Sequence, residues 1–271
     1  MKKNSLFAVM IFCTTLILLL AGCGNKGDSS NASATVQESE EDLKLVHDGK
    51  LTFAMSGLLK PLNYKDNGKL VGFDVEIGTE IAKRIGLEPN PVTNPWETIL
   101  QGLKGNKYDV IIGSMTATEE RLKQVDFSDP YYISGAQIFV AETNDTIQSK
   151  DDLGEKSVGV MQASTHKEVA ETLSNDVKGY PSEIFALQDL IPGRIDAVIT
   201  DKIVGVSAIK EQGMKIKTVD GVLNREEIAV AINKDHQALL DKINVAIAEI
   251  IEDGTYEKIS MKWFGVNIME D

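Results

Sequence analysis

Arg121 is the residue whose type and setting most clearly invite chemistry. It lies in the stretch 108–132, YDVIIGSMTATEERLKQVDFSDPYY, where the apolar run Val110-Ile111-Ile112 stops at Gly113 and a small-residue loop, Ser114-Met115-Thr116-Ala117, follows. Thr118 then stands where a helix N-cap belongs, with Glu119 and Glu120 in the first turn. A strand that ends in such a loop and enters a helix exposes backbone N–H groups at the C-terminal edge of a sheet, a setting for a small anion. Three residues past the cap, a guanidinium adds a planar, two-pronged donor suited to a carboxylate. The structural alternative is an arginine that solvates a surface helix beside two glutamates, and spacing alone leaves both readings open.

The elements that must position this loop alternate along the chain. Leu51-Thr-Phe-Ala-Met55 is a short strand, followed by a loop with Ser56, Gly57 and Pro61. Asn67-Gly68 marks a hairpin turn before Leu70-Val-Gly-Phe73. Asp74 is placed to cap a helix whose Ile77, Ile81 and Ile85 share one face, with Gly86 as its stop. A strand at 91–93 leads to Asn94-Pro95-Trp96-Glu97, which reads as a cap, a first-turn proline and a capping-box acid. This β-α-β-α-β order predicts a parallel sheet with crossover helices. After Tyr132 an extended run, 138–142, opens a second alternating unit with strands at 157–161, 177–180 and 197–200 and helices at 165–173, 182–190 and 202–210. The run Glu-Ile-Ala-Val-Ala-Ile at 227–232 then returns to an amphipathic helix carrying Leu239, Ile243, Ile247, Ile250 and Ile251. Two α/β units joined by two extended crossings predict two lobes with a cleft between them, the usual place for a small ligand.

The first 42 residues belong to delivery rather than fold. Lys2 and Lys3 precede an apolar run from Leu6 to Ala21, with the proportions of a secretory signal. Roughly 16 apolar residues are short for a membrane span. Residues 24–42 are small, polar and acidic, the composition of a disordered tether. The chain has 28 basic and 41 acidic residues, a formal charge of −13, and loss of Lys2 and Lys3 with the leader makes it more acidic still. Such a surface repels nucleic acid and anionic headgroups. Three His, and two Cys of which Cys13 lies in the leader, provide no metal site, cofactor site or disulfide framework.

Several motifs taken together resemble a known family. Leu20-Ala-Gly-Cys23 resembles the lipobox of bacterial lipoproteins, which implies cleavage after residue 22 and a diacylglycerol on Cys23. The body is similar to the solute-binding proteins that feed polar amino acids to ATP-binding-cassette importers, over nearly the whole mature chain. The matching motifs are Gly68-Lys-Leu-Val-Gly-Phe-Asp74, Trp96 before a helix, Tyr108-Asp109 leading to Thr116-Ala-Thr-Glu-Glu-Arg121, and Asp126-Phe-Ser-Asp-Pro-Tyr-Tyr132. Val158-Gly-Val160, Gly193-Arg-Ile-Asp-Ala197, Asp201 and Lys262-Trp-Phe-Gly265 continue the series. The resemblance implies a two-lobed, periplasmic-binding-protein-like (Venus flytrap) α/β fold, each lobe a mixed, mostly parallel sheet flanked by helices. Lobe 1 is expected at 43–138 and 232–271, lobe 2 at 139–231, with the hinge in 137–143 and 225–232.

Roles follow from the same resemblance. Arg121, with Gly113, Ser114, Thr116 and the loop N–H groups, would hold a ligand α-carboxylate. Ser164 and Thr165 would add donors from the second lobe, and Asp201 would take the α-ammonium. Trp96, Ser56, Leu59, Met161 and His166 would complete the pocket. The structural alternatives are an ordinary helix cap for Asp201, capping for Thr165, core packing for Trp96 and a helix-surface position for His166. Relatives that take cationic amino acids commonly carry an acid where this chain has Ser56 and an aromatic where it has Leu59. Gln or Lys is frequent at Met161 and Gly at Ala163. With no acid in sight the pocket is expected to suit an uncharged polar, sulfur-containing or moderately apolar amino acid. The expectation is thus a non-enzymatic, monomeric lipoprotein on the extracytoplasmic face, partnered by a permease. Two rivals stay open: a cyclohexadienyl-dehydratase-like enzyme, for which His166 is the acid–base candidate, and a transporter-independent sensing or adhesive module.

Overall fold

A computed structural model describes residues 43–269, so the predicted leader, Cys23 and the tether lie outside the described residues. The first part of the body runs β1 (Lys50–Met55), β2 (Leu58–Leu59), β3 (Asn63–Asp66), β4 (Lys69–Val71), α1 (Phe73–Arg84), β5 (Glu88–Thr93), α2 (Ile99–Lys104), β6 (Val110–Ile111), α3 (Glu119–Leu122) and β7 (Asp126–Ser134). The second runs β8 (Ala136–Ala141), β9 (Ser157–Met161), α4 (Thr165–Leu173), β10 (Asp176–Tyr180), α5 (Glu183–Leu190), β11 (Ala197–Asp201), α6 (Lys202–Lys210) and β12 (Ile216–Val219). The chain then returns through β13 (Glu226–Ile232) to α7 (Gln237–Glu252) and α8 (Thr255–Phe264).

Two five-stranded sheets result, in the orders β5-β1-β6-β13-β7 and β10-β9-β11-β8-β12. Each is mixed. In the first, β1 pairs in parallel with β5 and β6, while β13 pairs antiparallel with β6 and β7. In the second, β9 pairs in parallel with β10 and β11, while β8 pairs antiparallel with β11 and β12. The parallel halves come from the helix-linked alternation. The antiparallel halves come from the strands that carry the chain between sheets, which need no crossover helix.

Sheet membership moves the expected boundaries. The chain passes from the first sheet to the second at Gly135, between β7 and β8, and returns between Val219 and Glu226. Residues 136–138 therefore belong with the second sheet and 226–231 with the first, and the crossings are shorter than the expected hinge. Gly135 is required there by close approach: a Cβ would lie 2.0 Å from the carbonyl oxygen of Asn224 on the other crossing.

Local chemistry also overrides two expected caps. The N-cap of α1 is Gly72, at φ 133°, where a Cβ would meet the Leu62 carbonyl oxygen at 2.3 Å. Asp74 is instead a fully buried residue of the first turn and accepts from Asn63 Nδ2 (2.6 Å), Ser114 Oγ (2.7 Å) and Tyr131 OH (2.9 Å). Asn94 donates to Pro95 O and Thr98 Oγ1, and Trp96–Thr98 forms a 3-10 turn before α2 rather than a capped α-helical start. Thr118 caps α3 as its sequence predicts, accepting from Arg121 N.

The core of the first sheet gathers Phe53, Met55, Ile77, Ile81, Val230, Ile243, Ile247 and Ile250, drawn from β1, α1, β13 and α7. Phe73 anchors it, with its ring edge-on to Tyr132 and Tyr256 and stacked on Tyr131 at 6.2 Å between centroids. Burying an aromatic of this size contributes about 1.5–3 kcal/mol. A second core, including Ile138, Val140, Val158, Val160 and Ile199, lies under the other sheet.

Candidate functional site

The C-terminal ends of β6, β9, β10 and β11 and the start of β13 converge on one buried cavity. It is lined from the first sheet by Trp96, Ser114, Thr116, Arg121, Glu226 and Ile228, and from the second by Met161, Ser164, Thr165, His166, Glu183 and Asp201. Nine of the twelve residues singled out in the sequence thus meet in one place. The other three do not line it. Ser56 Oγ donates to Asn63 Oδ1 at 3.1 Å, Leu59 is buried in the first core, and Gly113 closes against Met55 Cα at a spacing a Cβ would reduce to 3.0 Å.

Arg121 reaches across from α3. Its Nη1 donates to Thr116 O at 2.9 Å, its Nη2 approaches Ala163 O at 3.4 Å, and its guanidinium lies 5.8 Å from the centre of the Trp96 ring. Burial lowers its pKa from the ordinary guanidinium value, opposed by Glu226, Glu168 and Glu120. The Trp96 indole N–H donates to the same Ala163 carbonyl at 3.2 Å, and Ser182 Oγ reaches Leu58 O at 3.4 Å. These contacts join the first part of the body to the second, so the cleft is closed around the cavity. Trp96 also packs with Met161 in a small core, so its packing and lining roles coexist.

The loop offers an anion less than its sequence predicts. Ser114, at φ 62°, donates its N–H to Tyr131 OH (2.9 Å) and its hydroxyl to Asp74. The Ala117 N–H is spent on Glu227 O and the Thr116 hydroxyl approaches Glu226 Oε2 at 3.2 Å. A carboxylate entering here would rely on the guanidinium, with Thr116 beside it. On the opposite wall, Ser164 caps α4, accepting from Lys167 N, and Asp201 caps α6, its Oδ1 accepting from Ile203 N at 2.7 Å. The capping alternative for Asp201 therefore holds. It leaves room for the ligand role, because a carboxylate has two oxygens and only one is engaged by the helix. Thr165 follows the cap as the first helical residue.

Three lining residues carry no expectation from sequence: Glu183, Glu226 and Ile228. Glu226 and Ile228 are two apart on β13, hence on one face of the strand. His166, expected most simply on a helix surface, is instead buried at 6% exposure, with Nε2 at 3.5 Å from Glu226 Oε2. Burial opposes its charge, but the carboxylates of Glu226, Asp201 and Glu183 raise its pKa on balance. Glu226 is desolvated too, yet His166, Thr165 and Asn224 hold its pKa down at about 2. Glu183 has no such support, and burial pushes it up to about 7. Burial raises Asp201 as well, opposed by His166. The expectation of a pocket without an acid to meet a cation is therefore not met: two glutamates line it. Among the described residues no cluster of three or more His, Cys, Asp or Glu is arranged to hold a metal.

Two α/β domains joined by paired crossings, with a closed cleft lined from both, define the two-lobed binding proteins for small solutes. The chain belongs to the bacterial extracellular solute-binding proteins, family 3, whose sequence profile matches residues 51–266. It is similar to the L-cystine-binding protein TcyJ of Escherichia coli (strain K12), 35% identical over 229 residues that cover 83% of this chain and 86% of that one. Among solved structures it resembles an ancestral arginine-binding protein bound to arginine, with a TM-score of 0.76, 41% identity, and 80% and 99% of the two chains covered. It also resembles the ancestral amino acid-binding protein AncCDT-1, a precursor of cyclohexadienyl dehydratase, at TM-score 0.74 and 32% identity over 80% and 96% of the chains.

Proposed function

We propose that this protein is the substrate-binding lipoprotein of an ATP-binding-cassette importer, tethered through Cys23 outside the membrane, which captures an amino acid by lobe closure and presents it to a permease. One observation carries the reading: a guanidinium from the first sheet, Arg121, and a carboxylate from the second, Asp201, line the same buried cavity. An amino acid has the complementary pair of charges, and a ligand held from both sides stabilises the closed form by its differential affinity. Arg121 takes the α-carboxylate and Asp201 the α-ammonium. The relatives named above, which bind cystine or arginine, support an amino acid as the ligand class. The protein performs no chemistry on its ligand. The expected preference for a neutral side chain rested on a pocket without an acid, and Glu183 and Glu226 remove that ground.

The test is a thermal-shift screen of residues 42–271 against the proteinogenic amino acids and cystine. A ligand at about 100 times its Kd adds about 2.7 kcal/mol to stability. No shift with any of them rejects the reading. The likeness to AncCDT-1 and the presence of His166 in the cavity favour a dehydratase as a second reading. Conversion of a prephenate-like acid by the purified protein would establish it in place of the first.

A further inference from the structure

We propose that Glu183 selects the ligand's side chain, and that it takes one ending in a cation: an ammonium or guanidinium on an aliphatic stem. The inference rests on the amino-acid-binding reading of the same cavity, and begins from charge matching among the cavity residues. With a zwitterion bound, Arg121 is matched by the α-carboxylate and Asp201 by the α-ammonium. Glu226 is matched within the protein, by His166 at 3.5 Å, by the Thr116 hydroxyl at 3.2 Å and by Asn224 Nδ2 at 3.3 Å. Glu183 is left over. It is 3% exposed, and the hydrogen bond that favours its ionised form comes from its own backbone N–H, with His166 acting only through its charge. A buried carboxylate without a counter-ion is costly, and a ligand cation would supply one.

Position supports the same assignment. Glu183 is the first residue of α5, just beyond the C-terminal end of β10, on the same sheet edge that presents Ser164 and Asp201. Its neighbour Ser182 reaches across to Leu58 O, so Glu183 stands at the seam that closes over the ligand. Met161 and Trp96 line the same cavity, so a thioether and an indole give it an apolar wall alongside the carboxylate. His166 lines the same cavity: its Nε2 faces Glu226 at 3.5 Å, and its buried Nδ1 has no hydrogen-bond partner among the described residues. That nitrogen is polar capacity in the cavity wall that the protein alone does not use.

Arginine and citrulline have nearly the same shape and differ in a guanidinium against a neutral urea. Titration calorimetry of the wild type with arginine, lysine, citrulline, methionine and cystine, at pH 8 so that Glu183 is ionised, tests the assignment. Arginine or lysine should bind about 30-fold or more tightly than its neutral counterpart, as expected when a desolvated charge pair is lost. In Glu183→Gln the arginine-to-citrulline ratio should fall to within about threefold of unity. A merely structural Glu183 would change overall affinity or stability but leave that ratio alone, which overturns the proposal. So does a wild type that binds citrulline, methionine or cystine as tightly as arginine and lysine; the amino-acid reading then survives without it. Absence of binding by any of the five, in a folded protein, overturns this proposal, and the amino-acid reading falls with it only if the whole thermal-shift screen is empty as well. The wild-type ratio needs no variant, so the test stands even if Glu183→Gln misfolds.

Discussion

Replacing Glu183 by glutamine should make the unliganded protein more stable at neutral pH, an unusual result for a cavity residue. The carboxyl is fully buried and its pKa is raised from 4.5 to about 7, chiefly by loss of solvation. A raised carboxyl pKa means that the fold favours the protonated form. The associated stability is fully present below pH 4.5 and is lost as the pH rises through about 7. At pH 7 the unfolded chain has released this proton almost completely and the folded protein only in part, which corresponds to a penalty on the order of 3 kcal/mol. Glutamine is nearly isosteric and never ionises. Urea denaturation at pH 4 and pH 7 should show wild type and Glu183→Gln alike at the lower pH, and the variant ahead at the higher by an amount of that order. If Glu183→Gln were instead the less stable protein at pH 7, Glu183 would have a partner that holds its charge, and the reasoning about an unmatched carboxylate would fail.

Glu226 should behave in the opposite sense, because its pKa is lowered from 4.5 to about 2: its contribution is present above pH 4.5 and lost as the pH falls through 2. Glu226→Gln should therefore destabilise at pH 7, by on the order of 3 kcal/mol, with the difference shrinking in acid unfolding experiments. Gly135→Ala should lower the melting temperature and alter ligand affinity together, since a Cβ would press on Asn224 O and on Val222 Cγ1 where the chain crosses between the sheets; overpacking of this kind costs about 1–3 kcal/mol. Cys23→Ser should abolish lipid attachment, read by metabolic labelling with a fatty acid, and leave ligand affinity of the purified protein unchanged.

The parts of the site legible in the sequence are those announced by local chemistry. Ser164 and Asp201 are polar residues at strand-to-helix junctions, and Thr118 with Arg121 is a cap and its turn; each reads from a few neighbouring residues. Glu183 has the same signature, a Ser182 cap followed by an acid at the C-terminal end of a strand, but an acid in a first helical turn is ordinary and suggests a solvated surface. Its burial is a tertiary fact that no local pattern announces, and even its neighbour Ser182 meets Leu58 O across 124 residues of sequence. Glu226 is masked differently: it opens the apolar run of β13, and its inward face follows only once its parity with Ile228 is fixed by pairing with β7. The switch between sheets lies outside the expected hinge segment 137–143 for a related reason. The extended run expected at 138–142 does not mark where the sheet changes, and the switch at Gly135 depends on which partners β7 and β8 find. Asp74 shows the limit in the core, where a residue with a good capping type is taken instead by Asn63, Ser114 and Tyr131.

Calorimetric titration of Arg121→Ala and Arg121→Lys with the best ligand from the screen shows whether Arg121 clamps the ligand's α-carboxylate inside a closed cleft. Removing one partner of a desolvated charge pair costs about 2–5 kcal/mol, so Arg121→Ala should lose at least about 30-fold in affinity. Arg121→Lys should recover only part of the loss, because an ammonium is a point charge and cannot make the two-pronged contact. An Arg121→Ala protein within about threefold of wild-type affinity would rule the clamp out, leaving Arg121 as a strut between Thr116 and Ala163 with no part in binding.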